Sequence, residues 1–296
     1  MIAPGSRIET SISDGTIAAI VMGDDRQPLA MSAGHVLVGH GTPAFCPDRV
    51  SGVQIGEVID ACDNPLLDGA VSSINGVLPN AAVLGLGVTL SATARPAVGN
   101  RVAKFGHATQ RTDGVVTAIN RTRTVNLGSL GSIRVRGFII DPLPNSNPAN
   151  RLSAQGDSGA PWVLTDNAGR PLPILLGIHV AGGQASGGSA RPFAFACLAD
   201  EVMADLGVSL WQPDLAQPLP FMALPGLRPA VPMLVATEEP AILRGLPRET
   251  AARLGGLEPG QLVHVLAVKD GWAKISLKGN GRIDGFVWED LLVALA

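Results

Sequence analysis

Three short segments of this 296-residue chain hold residue types that together could do nucleophilic chemistry: "MSAGHVL" with His35, "PLLDGAVSSI" with Asp68 and "LSAQGDSGAPWVL" with Ser158. A serine hydroxyl is a poor nucleophile at neutral pH and needs an adjacent base. That base in turn needs an acid to fix its tautomer and stabilise the imidazolium. His35, Asp68 and Ser158 supply such a trio, with Asp60 and Asp63 as rivals for the carboxylate role. The serine segment is not the nucleophile elbow of hydrolases, because Ala160 stands where that motif needs glycine. Glycines at 156 and 159 instead let the backbone turn tightly. Amides of Gly156 and Ser158 aimed at one point would form an oxyanion hole, in which losing one donor typically costs about 10²–10³ in rate. A further imidazole, His179, lies in the apolar run "PILLGIHVAGG". The residue alone is compatible with a hydrogen-bonded core histidine, a base, a metal ligand or a group that reads a substrate.

The elements that must position these groups read as strands. The chain holds 36 glycines and 23 prolines, and 46% of it is hydrophobic, a balance that suits an all-β protein with many turns and a sizeable core. From about residue 14 to 210, runs such as "TIAAIVM", "GAVSSI", "RVAKFG", "GVVTAI" and "ILLGIHV" alternate with turn signals. Only 198–207, "LADEVMADLG", has helical spacing, with Leu198, Val202 and Leu206 four apart and Gly207 as a stop. Residues 211–234 are proline-rich and predict a semi-rigid linker, part of which packs on a neighbouring domain through Phe221, Met222 and Leu224. Residues 235–296 return to short strands and suffice for a small barrel.

The segments "SAQGDSGAPW", "SAGHVL" and "DGAV" resemble, in the same order, the nucleophile, histidine and aspartate segments of trypsin-like serine proteases. The resemblance covers roughly residues 10–210. It implies two six-stranded antiparallel barrels of chymotrypsin type, the first over about 10–90 and the second over about 95–210, with the active site between them. It makes Ser158 the nucleophile, His35 the general base and Asp68 the orienting carboxylate. Asp68 is preferred because "LDGAV" leads directly into a strand, as in the family.

Several departures matter. Val36 and Ala154 stand where the family usually has cysteines, and no Arg-Ile-Val-Gly-Gly cleavage site precedes the first barrel. Activation through a freed N-terminus reaching Asp157 is therefore not expected; either Asp157 finds another partner or a partner molecule orders the loop. Leu152 replaces the pocket aspartate of trypsin, so lysine or arginine specificity is not expected either.

The segment "GIHVAGG" falls where the family's pocket wall lies and is similar to the Gly-x-His segments of glutamyl endopeptidases and viral 3C cysteine proteases. That similarity implies that Val180, Ala181 and Gly182 run beside the substrate backbone. His179, with Ser153 at the pocket floor, would then read a Glu or Gln before the cut bond. A cationic imidazole would favour Glu, whereas a neutral N–H donor would suit Gln equally well.

The tail pieces "ILRGLP", "GGLEPGQLVHVL", "DGWAKI" and "GFVWEDLL" resemble bacterial SH3-like domains. Such a domain implies a peptide or peptidoglycan ligand or a regulatory partner, with Trp272 and Trp288 as core or groove residues.

The net charge of −3 gives no basic footprint for nucleic acid, and no long apolar run reads as a transmembrane helix. No cofactor is expected. A metal site on His35, His40, Cys46 and Cys62 is disfavoured by their irregular spacing. His107 and His264 read as ordinary turn and strand residues. The three cysteines at wide spacing make no disulfide framework, and "MIAPGSRIETSISDGTIAAIV" lacks the pattern of a signal peptide. The expectation is a cytoplasmic protein, with export left open. Two functions from different classes follow: an active endopeptidase carrying a targeting or regulatory domain, or a catalytically silent protease fold that binds or scaffolds.

Overall fold

The computed structural model describes residues 1–23, 26–143, 152–184, 192–212, 231–237, 239–277 and 283–294. The chain divides into two compact units, Met1–Pro213 and Asp214–Ala296.

Unit 1 is built from two curled sheets. The first takes β1 (Arg7–Glu9), β2 (Asp14–Thr16), β3 (Ala19–Met22), β4 (Pro28–Ser32), β5 (Pro43–Cys46), β6 (Val53–Ala61) and β7 (Ala70–Ser73). The second takes β8 (Ala92–Thr93), β9 (Arg101–Gly106), β10 (Gln110–Asn126), β11 (Ser132–Pro142), β12 (Pro161–Thr165), β13 (Pro171–Gln184) and β14 (Pro192–Leu198). One helix, α1 (Ala199–Leu206), and a short strand, β15 (Ser209–Leu210), complete the unit.

The first sheet runs β15-β3-β4-β7-β6-β5-β1-β2 and is antiparallel throughout. Six strands, β3 to β1 in that order, match the expected barrel; two short ones extend it. The chain returning from α1 lays Ser209 and Leu210 against Met22 and Val21 to make β15. A tight Thr10–Ser13 turn folds β2 back on β1.

The second sheet runs β12-β9-β10-β11-β14-β13, and β12 also pairs with β13, so six antiparallel strands close into a ring; β8 adds to β13 in parallel. Closure leaves no long hydrophobic edge to be covered. Phe138, Ile140, Leu152, Trp162 and Leu176 fill one part of its interior. The larger cluster joins Ile8, Ile17, Met31, Leu37 and Ile55 of the first sheet to Val135, Leu175, Ile178 and Phe195 of the second. That shared core fixes one barrel against the other within unit 1.

The helix lies one residue inside the expected 198–207 at each end. It buries Ala199, Val202, Met203 and Leu206 and stops at Gly207, which adopts the left-handed conformation (φ 65°) that favours glycine.

Most of the proline-rich stretch lies outside the described residues. Its last part is a strand, β16 (Val231–Val235), which opens the sheet of unit 2. That sheet continues with β17 (Ala241–Arg244), β18 (Arg253–Leu257), β19 (Leu262–Lys269), β20 (Trp272–Ser276), β21 (Gly285–Trp288) and β22 (Leu292–Ala294). Its order is β18-β17-β21-β20-β19-β16-β22, all antiparallel, over a core of Leu243, Val263, Ile275, Val287 and Leu292. Trp272 is buried and stacks on the partly exposed Trp288, ring centres 4.5 Å apart.

Candidate active site

Ser158 lies in the loop between β11 and β12, and a cavity of about 640 Å³ opens over it, lined by residues of both sheets. On the first sheet's side stands His35, just after β4. Its Nδ1 is 2.7 Å from Asp68 Oδ2, and its backbone N–H donates to Asp68 Oδ1 at 2.9 Å. Both side chains are nearly inaccessible. With its second oxygen held by a backbone amide, Asp68 has one geometry to offer the ring. The carboxylate on His35 is therefore that of Asp68, while Asp60 caps the amide of Ala61 and the backbone of Asp63 turns to Asp205.

The loop around Ser158 is shaped by its neighbours. Gly156 has φ +97°, and a Cβ there would fall 2.4 Å from His107 Nε2. On the other side, Thr16 of β2 donates its amide to the Ser158 carbonyl (2.7 Å) and its hydroxyl to the Gly156 carbonyl (2.8 Å). With both carbonyls tied to β2, the Gly156 and Ser158 amides donate to no acceptor among the described residues. Ser158 Oγ donates to the Val180 carbonyl at 3.3 Å, and no hydrogen bond joins it to His35.

Asp157 meets five donors. Its Oδ2 accepts from Lys104 Nζ (3.0 Å), Thr109 Oγ1 (2.6 Å) and the Ala154 amide (3.0 Å), and its Oδ1 from the amides of Ala108 and Thr109 (3.1 Å each). Of the two expected alternatives, a partner within the chain is therefore the one present. Lys104 comes from β9 and is as buried as the carboxylate. Burial pushes the Asp157 carboxyl up, but the Lys104 charge and the Thr109 hydroxyl outweigh it and hold it below the usual range. Burial pulls the Lys104 ammonium down, with Asp157 opposing. At 3.0 Å with five donors on the carboxylate, the pair is charged at neutral pH.

His179 sits on β13, and its main chain is pinned to the serine loop: Gly159 N donates to its carbonyl (2.7 Å), and its own amide donates to Ala160 O (2.9 Å). A bulge against β14 falls between His179 and Ala181 and re-aims the strand. Pairing with β12 ends at Ile178, so among the described residues Val180–Gly183 has a strand partner on one side only, and it lines the cavity. Gly182 faces Ser153 so closely that a Cβ there would lie 1.7 Å from Ser153 Oγ.

The His179 ring is 1% exposed and lines the cavity. Its Nδ1 accepts a hydrogen bond from Trp162 Nε1 at 3.3 Å. Burial, reinforced by Lys104 and opposed by Asp157, drives its pKa down to about 3.

Several of these residues escape sequence reasoning. Thr16, Lys104, Thr109 and Trp162 are far from the motifs or look like ordinary strand residues; only a lysine inside the apolar run "RVAKFG" is a legible anomaly. His107 is a turn residue as expected, but it also packs beneath Gly156. The tip of the β10–β11 ribbon, with Val125, Leu127 and Leu130, forms a further cavity wall together with Phe193. His35, His40, Cys46 and Cys62 form no cluster of three or more possible metal ligands among the described residues. All three cysteines are free thiols, and burial pushes those of Cys62 and Cys197 well up.

Two such barrels with this connectivity are the chymotrypsin fold. Among solved structures, a glutamic acid-specific serine protease described as using a histidine triad in substrate binding superposes with TM-score 0.53 at 23% identity, over 71% of this chain and 100% of its own. The Nocardiopsis protease NAPase superposes with TM-score 0.52 at 16% identity, over 71% and 99%. A Cellulomonas bogoriensis chymotrypsin gives 0.50 at 18%, over 71% and 97%. No protein-family model matches the chain, and no curated protein sequence matches it.

Proposed function

We propose that this protein is a serine endopeptidase that cuts peptide bonds through an acyl-enzyme. The observation that carries the reading is the buried His35–Asp68 pair beside Ser158, in a loop whose two carbonyls are tied back by Thr16. In this reading Ser158 Oγ leaves the Val180 carbonyl, gives its proton to His35 Nε2 and attacks the substrate carbonyl carbon. Hydrogen bonds of this kind are commonly loose before substrate binds. Asp68 holds the ring and stabilises the imidazolium, and the Gly156 and Ser158 amides receive the oxyanion. His35 then passes the proton to the leaving amine, and water repeats the sequence on the ester.

The free edge at Val180, Ala181 and Gly182 pairs with the substrate main chain, as an extended peptide adds to an open strand. His179 and Ser153 read a Glu or Gln before the cut bond. One neighbour in fold is glutamic acid-specific and binds substrate through histidines, which supports this assignment. Unit 2 serves as an SH3-like targeting or regulatory domain with a peptide or peptidoglycan ligand. A cytoplasmic location, with export left open, is part of the same proposal.

Labelling with a serine-directed fluorophosphonate tests the enzyme reading against the silent-scaffold alternative. The wild-type chain is expected to label and Ser158→Ala is not. A wild-type chain that stays unlabelled and cuts no peptide would favour the scaffold.

A further inference from the structure

The bond between Trp162 and His179 says more about the pocket than the presence of a histidine does. An indole nitrogen only donates. Its hydrogen bond to His179 Nδ1 therefore requires that nitrogen to carry a lone pair. A protonated imidazole has none, so His179 is neutral and its one proton is on Nε2. Trp162 is wholly buried, as is Lys104, whose ammonium lies 5.9 Å from the Trp162 ring centre and is already paired with Asp157. The indole can neither take a proton from His179 nor pass one to it.

We infer that the pocket is built for an uncharged side-chain amide, so that the enzyme takes glutamine before the cut bond in preference to ionised glutamate, with Trp162 as the residue that positions His179 for it. The inference rests on the reading that this pocket accepts Glu or Gln at all. The Nε2–H donates to the amide oxygen, and Ser153 Oγ can accept from the amide nitrogen. An ionised carboxylate in the same place would lose its hydration against a neutral donor, and no lysine or arginine among the described residues lines the pocket to offset the loss. Other charges give it little relief. Asp14 lines the same cavity and is repulsive, Lys104 is neutralised by Asp157, and Arg123 is seated on the face of Phe193, 4.5 Å from the ring centre. The low pKa of His179 agrees with this picture.

The test uses the full chain and fluorogenic peptides identical except for Gln, Glu, Leu or Lys before the cut bond. At pH 7.5 the Gln peptide is expected to exceed the Glu peptide at least about tenfold in kcat/KM, since a site with a buried donor rejects a mismatched polar group strongly. The Glu-to-Gln ratio is expected to rise as pH falls from 7.5 to 5.5. The protonated form of a glutamate side chain, with pKa about 4.3, gains up to about tenfold per pH unit over that range. An effect of pH on the chemical step is common to both peptides and cancels in the ratio. Trp162→Phe, which keeps a ring but removes the N–H, is expected to shrink the Gln preference several-fold, mainly through KM. A Glu peptide cut as well as or better than Gln, with a ratio flat in pH, overturns the amide preference and leaves the Glu-or-Gln reading standing. Leu or Lys peptides cut faster than both overturn that reading and the inference with it. An unchanged ratio in Trp162→Phe overturns the positioning role.

Discussion

Lys104→Met is the sharpest probe of how the serine loop is held. Wild-type Asp157 has five donors, one of them the Lys104 cation at 3.0 Å, with neither side chain exposed to water. Methionine keeps the length of the side chain and removes the cation, leaving four neutral donors on a buried carboxylate. Breaking such a pair from one side costs about 3–5 kcal/mol, because the remaining charge is buried without compensation. In a unit of this size that corresponds to a fall in midpoint of roughly 6–20 °C. Since Asp157 precedes Ser158, the loss is expected to reach the Gly156 and Ser158 amides and to slow fluorophosphonate labelling as well. Removing the charge from both sides, in Lys104→Met with Asp157→Asn, is expected to recover about 1–3 kcal/mol of the lost stability, since the orphan charge is gone. Urea unfolding read by tryptophan fluorescence, with labelling rates beside it, measures all three proteins. A single Lys104→Met that costs less than about 1 kcal/mol and labels at the wild-type rate would refute the idea that this ion pair orders the loop.

Asp68→Asn leaves the shape of the His35 pair intact but supplies the wrong hydrogen-bonding partner for Nδ1; kcat on a peptide substrate is expected to fall about 10⁴-fold, and a fall of less than tenfold would remove Asp68 from the mechanism. Gly182→Val drives a side chain into the space of Ser153 Oγ, and peptide kcat/KM is expected to drop about 10²-fold; a wild-type value would mean the substrate does not pass between these residues. Acid unfolding reports on His179, whose pKa is depressed from 6.5 to about 3 in the fold. Between those limits the unfolded chain binds a proton that the folded chain does not. Its contribution is therefore complete above pH 6.5 and is lost as pH falls, by about 1.4 kcal/mol per unit. His179→Gln, measured by urea unfolding across pH 4–7, is expected to flatten that slope, and an unaltered slope would contradict the neutral buried ring.

The all-β class and the helix at Ala199–Leu206 are legible in the residues because they follow from local chemistry. Gly and Pro mark the turns, short apolar runs mark strands, and the four-residue spacing of Leu198, Val202 and Leu206 marks the helix. His35, Asp68 and Ser158 stand out for the same reason, since each sits in a short segment whose glycines and flanking residues are themselves the signal. The sequence could rank Asp68 above Asp60 and Asp63, but only the packing of β7 against β4 brings its carboxylate to the imidazole. What lay beyond reach was everything held by contacts between distant segments. Thr16 reaches Gly156 across 140 residues, Lys104 meets Asp157 across 53, and Trp162 meets His179 across a strand pair with a shifted register. No local pattern predicts such contacts, because they depend on which strand lies beside which and at what register. The sequence alone made His179 a candidate for reading a substrate and left its charge open. The tertiary structure decided that charge by placing an indole N–H against one ring nitrogen, where a protonated imidazole has no lone pair to receive it.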